Sequence, residues 1–419
     1  MNVIELIDLK KNKKLLSEEQ INFFIHGVVN KLIPDYQISA LLMAIWFNGL
    51  DQNELYYLTK AMTNSGKIYS FHPSYKKILI DKHSTGGIGD KVSIALAPIL
   101  SCFNLGISKL SGRGLGFTGG TIDKLESIGV DTNLSIEEAK KILNSNDMFI
   151  IGQTSDIVPA DKILYALRDV TGTVDSLPLI AASVLSKKFA FESDYIFIDI
   201  KYGQGAFCKD LSTAQKLKDI MIKLAQKFNR KVYFLLSDMN QVLGQAIGNA
   251  IEVQEVVDYL KDEDWVSKDF KKTMETLITL ILIKSKICKS NSEAKIKIKN
   301  VISSKMAFHK FIAWVEAQKG DVKKIENNNF FKPKYEYTIK AQKKGRVSYK
   351  SVIDIAQLSV DLGSGRYEKN DKIDYQAGIY LHAKEKDSVK NGDKIISLYS
   401  SNPIELELVI RAKNIFKIK

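Results

Sequence analysis

Ile78-Leu79-Ile80-Asp81-Lys82-His83-Ser84-Thr85-Gly86-Gly87-Ile88-Gly89-Asp90-Lys91 begins as an apolar run, turns through glycines and leads into a helix-like stretch. A short buried strand, a glycine turn and a helix form the repeating unit of an α/β protein. The same succession follows downstream, where Ile107 to Leu110 precedes Ser111-Gly112-Arg113-Gly114-Leu115-Gly116-Phe117-Thr118-Gly119-Gly120-Thr121. Glycine lets backbone N–H groups come close to an anion, Ser and Thr hydroxyls add donors, and the following helix presents its partly positive N-terminus. Both loops therefore read as oxyanion cradles. Neither carries the Lys-Ser/Thr ending of a Walker motif, and Gly112-Arg113-Gly114-Leu115-Gly116 misses the third spacing of a dinucleotide fingerprint. Free phosphate or a phosphorylated sugar suits them better than ATP or NAD.

Outward from these loops, short strands at Ile78–Ile80, Ile107–Leu110, Met148–Ile151, Tyr195–Ile200 and Val232–Leu236 alternate with helical stretches. That alternation predicts an α/β fold, with residues 70–155 and 195–330 forming a large domain around a mainly parallel sheet. Residues 1–65 read as helices alone. Ser17-Glu18-Glu19-Gln20 is a capping box, Pro34-Asp35 interrupts, and Asp51-Gln52-Asn53-Glu54 opens another helix. Pro159 to Arg168 and Pro178 to Ala190 are helical too, each with a proline suited to a first turn. Residues 159–190 thus join 1–65 in a small all-helical domain. From about Tyr335, runs of Val, Ile and Tyr broken at Gly345, Gly363-Ser364-Gly365 and Asn391-Gly392 predict a compact β-rich C-terminal module over 335–419.

The 419 residues, 45% of them hydrophobic, suffice for two or three domains with sizeable cores. The 61 Lys and Arg against 48 Asp and Glu give a net charge of +13, which favours anionic partners and raises nucleic acid as one of them. The cations are scattered singly, with no Arg-rich stripe and no aromatic-basic interleaving, so no nucleic-acid face is expected. Cys102, Cys208 and Cys288 lie far apart with no C-x-x-C pair, which argues against a disulfide framework or a zinc site and for a reducing cytoplasm. The opening Met1-Asn2-Val3-Ile4-Glu5-Leu6-Ile7-Asp8 carries acids where a signal peptide carries Lys or Arg. The apolar run Leu277 to Ile283 is too short to span a bilayer, so no membrane partner is expected.

Three long runs, Ser111 to Ile128, Tyr165-Ala166-Leu167-Arg168-Asp169-Val170-Thr171-Gly172-Thr173-Val174-Asp175-Ser176-Leu177-Pro178-Leu179-Ile180, and Ser237-Asp238-Met239-Asn240-Gln241-Val242-Leu243-Gly244, are similar to motifs of the pyrimidine-nucleoside phosphorylases of the thymidine phosphorylase group. The resemblance extends from the N-terminal helices to the C-terminal module. It implies a pentosyltransferase that reversibly cleaves a pyrimidine nucleoside with phosphate, giving free base and (deoxy)ribose 1-phosphate, in nucleoside salvage and catabolism. Thymidine, deoxyuridine and uridine all stand as substrates. No cofactor is implied, inorganic phosphate being the co-substrate, and a cytoplasmic homodimer joined through the N-terminal helices is expected.

Such a reaction passes through an oxocarbenium-like sugar, so an anionic nucleophile must be held at C1′ while the departing base is stabilised. By resemblance, Lys82, Ser84, Ser93, Ser111 and Thr121 bind the phosphate together with Lys109. His83 stands near the pyrimidine 2-carbonyl, where an imidazole donates a hydrogen bond or a proton. Tyr165, Arg168, Ser183 and Lys187 match the base-binding set, and their spacings of three and four put each pair on one helix face. The resemblance makes His83, Arg168 and Lys187 the catalytic group. With base on the helical domain and phosphate on the α/β domain, it also implies closure of a cleft about hinges near Gly66, Gln153 to Pro159 and Glu192 to Asp194.

Several positions depart from the family pattern. Phe117 stands where many relatives carry histidine, and Ser127-Ile128-Gly129 lacks a proline, which reads as a loop change. Some relatives bind potassium at positions matching Gly89, Lys91, Leu243, Ala246 and Glu255. Lys91 replaces a hydroxyl residue there, and its ammonium beside Glu255 would repel a second cation, so no potassium requirement is expected. Two rival readings remain. Glycosyl transfer of the anthranilate phosphoribosyltransferase kind would need an acidic pair for magnesium, and the C-terminal module and the Tyr165 to Lys187 set argue against it. A basic nucleic-acid-binding protein would explain the charge and neither loop.

Overall fold

The computed structural model describes residues 1–114, 119–368 and 371–419. Two compact units make up the chain: Met1–Asp81 with Gln153–Ile198 and Leu211–Phe234, and Lys82–Gly152 with Asp199–Asp210 and Leu235–Lys419.

The first unit is built on α1 (Val3–Lys11), α2 (Glu18–Val29), α3 (Asp35–Asn48) and α4 (Gln52–Thr63). Both expected capping boxes form. Ser17 Oγ accepts from Gln20 N at 3.2 Å while Gln20 Oε1 accepts from Ser17 N at 2.9 Å. Asp51 and Glu54 exchange the equivalent bonds at the start of α4. A cap of this kind stabilises a helix by about 1 kcal/mol. Glu54 is also buried beside Lys10, whose Nζ lies 2.7 and 2.8 Å from its two oxygens, so one carboxylate closes the α4 cap and ties α1 to α4. The helices α8 (Pro159–Thr171), α9 (Leu177–Phe189) and α10 (Leu211–Lys227) pack in the same unit.

A five-stranded parallel sheet of order β3-β2-β1-β4-β5 is made by β1 (Ile78–Ser84), β2 (Leu105–Ser111), β3 (Met148–Gly152), β4 (Tyr195–Tyr202) and β5 (Val232–Asp238). The strands β1, β4 and β5 begin in the first unit's residues. Side chains of β1 to β4 are buried on both faces, as a helix-covered parallel sheet requires. The covering helices are α5 (Val92–Ser101), all ten residues of which are buried, α6 (Thr121–Glu126), α7 (Ile136–Asn146), α11 (Ala250–Leu260), α12 (Lys268–Lys284), α13 (Asn291–Ser303), α14 (Met306–Ala317) and α15 (Val322–Glu326). The expected first strand stopped at Ile80, yet β1 runs on to Ser84. With strands on both sides, its backbone stays paired after the apolar pattern has ended, which puts Lys82, His83 and Ser84 on the strand and not in the loop.

The C-terminal part adds β7 (Tyr335–Lys340), β8 (Gly345–Tyr349), α16 (Val352–Ser359), a π-helical segment (Val360–Ser364), β9 (Gly378–Leu381), β10 (Ser388–Val389), β11 (Lys394–Ser400), α17 (Leu406–Ile415) and β12 (Phe416–Ile418). Two small antiparallel sheets result, β10-β8-β12 and β6-β9-β11-β7. The short β6 (Ala246–Gly248) comes from the chain just ahead of α11, and Ile88 of the first glycine loop sits in the same apolar core as Ile379, Leu381 and Ile396. Gly345, expected as a turn, instead opens β8: a Cβ there would lie 2.3 Å from Lys419 O, so the glycine admits the chain end that pairs with it.

Candidate active site

The sheet order reverses at β1: the chain moves outward through β2 and β3, then returns to β4 and β5 on the other side. At such a switch point the loops leaving the carboxyl ends of neighbouring strands diverge and open a crevice for a ligand. Lys82, Ser84, Lys109 and Ser111, near the ends of β1 and β2, belong to the set expected to bind phosphate, and His83 stands among them.

Lys82 is buried, and its Nζ donates to Ser93 Oγ at 3.2 Å, while Lys109 Nζ donates to the Lys82 carbonyl at 2.7 Å. Ser84 donates to Asp90, and Ser84 Oγ accepts from Gly86 N at 3.2 Å. Lys82, Ser84, Ser93 and Lys109 are therefore linked through β1 and the first glycine loop. His83 is half-buried between Lys82 and Ser84. Ser111 ends β2, and Thr121 begins α6, which is tied to the first loop by Lys124 Nζ donating to the Asp90 carbonyl at 3.0 Å. Phe117 lies outside the described residues.

The sequence reading missed the charges behind this loop. Burial alone would push the Asp90 carboxyl up, but Lys201, Lys82, the Ser84 hydroxyl and Lys124 together hold it well below the usual carboxylate range. Lys201 is fully buried 2.6 Å from Asp199. Burial lowers its pKa less than Asp199 and Asp90 raise it, so it stays a cation. Lys124 pairs with Glu252 at 2.7 Å, both buried. Buried lysines thus stand behind this loop, Lys201 and Lys124 paired with carboxylates inside the fold. No spacing rule marks a buried lysine, and only the position of Asp90 directly after Gly89 hinted at a loop-capping carboxylate.

The residues expected to bind the base lie in the first unit. On α8, Asp161, Tyr165 and Arg168 follow at helical spacing, and on α9 Ser183 and Lys187 stand four apart. Lys187 Nζ donates to Asp161 and, at 3.1 Å, to Ser183 Oγ. Asp161 was not foreseen; it is 3% exposed, and its second oxygen has no hydrogen-bond partner among the described residues. Arg168 is 3% exposed and donates to the carbonyls of Thr173, Leu179 and Val174 at 3.2, 3.2 and 2.7 Å. Burial pulls its pKa below the ordinary value. A guanidinium has five N–H donors, so among the described residues two remain after these three bonds. Its Cζ lies 5.9 Å from the centre of the Tyr165 ring.

The expected cation position has a definite geometry. Lys91 Nζ donates to the carbonyls of Leu243 and Ala246 at 3.0 and 3.1 Å and to Glu255 Oε2 at 2.6 Å, with both side chains fully buried. Gly89, at φ +76°, completes the group: a Cβ there would meet Leu243 O at 2.4 Å. An ammonium already takes these oxygens, so the residues present do not fit an additional monovalent cation.

Three family descriptions match the chain. The glycosyl transferase helical bundle domain covers residues 4–66, the glycosyl transferase a/b domain 76–308, and the pyrimidine nucleoside phosphorylase C-terminal domain 346–419. The thymidine phosphorylase of Mycoplasmoides pirum is 68% identical over all of both chains. This chain belongs to the pyrimidine-nucleoside and thymidine phosphorylase family. Within the family, the thymidine phosphorylase of Mycoplasma genitalium is 51% identical, covering 99% of this chain and 98% of its own. The pyrimidine-nucleoside phosphorylase of Staphylococcus aureus is 41% identical over 96% of this chain and 92% of its own. Among solved structures, anthranilate phosphoribosyltransferase from Thermus thermophilus aligns with TM-score 0.60 at 14% identity, covering 75% of this chain and 99% of that one. That likeness shows the shared fold alone. The phosphorylase family is one of pentosyltransferases, and no helix among the described residues is long and apolar enough to cross a membrane.

Proposed function

We propose that this enzyme catalyses reversible phosphorolysis of pyrimidine nucleosides, with thymidine, deoxyuridine and uridine as its substrate class. A phosphate oxygen bonds to C1′ opposite the base, the C1′–N bond breaks, and its electron pair leaves with the base. Lys82 and Lys109 supply charge to the phosphate, and the hydroxyls of Ser84, Ser93, Ser111 and Thr121 give its oxygens direction. As negative charge gathers on the base, the Lys187 ammonium and the free N–H groups of Arg168 stabilise it, while His83 donates to the 2-carbonyl. Ser183 and Tyr165 hold the ring in place. The observation that carries this reading is the gathering of Lys82, Ser84 and Lys109 near the carboxyl ends of β1 and β2, with Ser93 of α5 bonded to Lys82, in a chain of this family.

The reading includes a catalytic cycle without potassium, Lys91 serving as the resident cation. Equal rates in potassium and sodium chloride at matched ionic strength are expected, and strong activation by potassium over sodium would overturn it. It also includes the homodimer and the cytoplasm implied by the resemblance, the former supported by exposed Leu32, Tyr36 and Phe47 on the helical unit. The function is tested by phosphate-dependent release of free base from thymidine, deoxyuridine, uridine and inosine. The pyrimidine nucleosides should react and inosine should not. His83→Ala and Lys187→Ala should each lose the activity, and retention by both would remove the assigned roles.

A further inference from the structure

The second glycine loop is braced from the C-terminal module. Asp123, in the first turn of α6, is 1% exposed. Its Oδ2 accepts from Gly114 N at 2.7 Å, and its Oδ1 accepts from Arg113 Nη1 at 3.2 Å and Arg366 Nη1 at 2.8 Å. The loop's two arms touch at this carboxylate: a Cβ on Gly120 would lie 2.0 Å from Gly114 N and 2.4 Å from Asp123 Oδ2. Arg113 forms a two-pronged pair with Glu126 at 2.6 and 2.6 Å, and Glu126 accepts a further bond from Tyr375 at 3.1 Å.

Arg366 and Tyr375 both come from the segment after the π-helical turn, and that segment is itself anchored. Asn249 Nδ2 donates to Ser364 O at 2.8 Å, Ala250 N donates to Tyr375 O at 3.2 Å, and Arg366 Nε donates to Asp371 O at 3.2 Å. Arg366 is 11% exposed and Arg113 46%, so Arg366 is the partner of Asp123 that water screens less. A buried carboxylate that loses such a partner keeps its desolvation cost, and the backbone it holds must shift.

We infer that Arg366 is a positioning residue for phosphate: through Asp123 it fixes the arms of the second glycine loop that carry Ser111 and Thr121. The inference rests on reading that loop as phosphate-binding. It gives the C-terminal module a role in the reaction, since the module supplies the brace.

The test is steady-state phosphorolysis of thymidine by Arg366→Ala, Arg366→Lys and Thr121→Ala, with thermal melting of each. A misplaced ligand loop costs roughly 10- to 100-fold in efficiency, so Arg366→Ala should raise the phosphate KM by about that factor and leave the thymidine KM within about twofold. Arg366→Lys, which keeps one charged donor, should recover part of the phosphate affinity, and it decides the matter if the alanine variant does not fold. A phosphate KM equal to wild type in Arg366→Lys and Arg366→Ala, or a loss confined to kcat with a lowered melting temperature, overturns the inference. If Thr121→Ala also leaves the phosphate KM unchanged, the phosphate reading of the loop fails as well. If Thr121→Ala raises it and Arg366→Ala does not, only the brace is wrong.

Discussion

The Lys187 ammonium has three N–H donors, and among the described residues one goes to Asp161 and one to Ser183, which leaves one for the base in the proposed reaction. Asp161 therefore sets the direction of the remaining donor as well as balancing the charge. Asp161→Asn removes that charge and loosens the geometry. It is predicted to lower kcat/KM for thymidine by roughly 10- to 100-fold with little change in phosphate KM. Equal losses toward both substrates, or none, in the same kinetic assay would contradict this. Tyr165 and Arg168 stand in the long motif Tyr165 to Ile180, whereas Ser183 and Lys187 came only with the family's base-binding set, helical spacing adding that each pair shares a helix face. Asp161 was not legible, because an acid in a helix's first turn is ordinarily a partner of the helix dipole. Arg168 shows the opposite case: its position was legible, but its commitment to three backbone carbonyls depends on the turn 173–179, which no spacing announces.

Among the elements, α11 carries a titration that its packing forces. Asp258 is 7% exposed on this helix and accepts from Gln254 Nε2 at 2.9 Å. Burial, with Glu263 and Glu255 nearby, outweighs Gln254 and Lys261 and pushes its carboxyl up to about 6. In the unfolded chain the same group titrates near 4, about the usual aspartate value. Between those values the native state holds a proton that the unfolded state has lost, so this residue's contribution to stability falls as pH rises through the window. Asp258→Asn has no charge to bury. It is predicted to be more stable than wild type at pH 8, on the order of 1–3 kcal/mol, with the difference vanishing near pH 4. Denaturant melts at the two pH values check it, and a variant less stable at pH 8 would contradict it. The elements themselves were largely readable, since alternating apolar runs and capping boxes are local signals. The extension of β1 to Ser84 and the pairing of three-residue β6 with β9 were not, because both depend on partners distant in sequence.

For the whole molecule, the α/β class and the β-rich end could be read from texture alone, and the family followed from three long motifs. The net charge of +13 was read as singly scattered cations, and that reading does not say which of them lie inside. Lys82, Lys91, Lys124, Lys188 and Lys201 are all buried, several against carboxylates on other elements: Lys91 with Glu255, Lys124 with Glu252, Lys188 with Asp81. Part of the positive charge therefore lies inside the fold, paired with carboxylates. Composition counts charges without saying which are inside. In the proposed reaction, phosphate held at the ends of β1 and β2 is the nucleophile. The most direct measurement follows thymidine with the purified enzyme at increasing phosphate, quantifying thymine and deoxyribose 1-phosphate together. Equal amounts of the two products, appearing only with phosphate and saturating with it, are predicted. Thymine released without phosphate, or without the sugar phosphate, would contradict it.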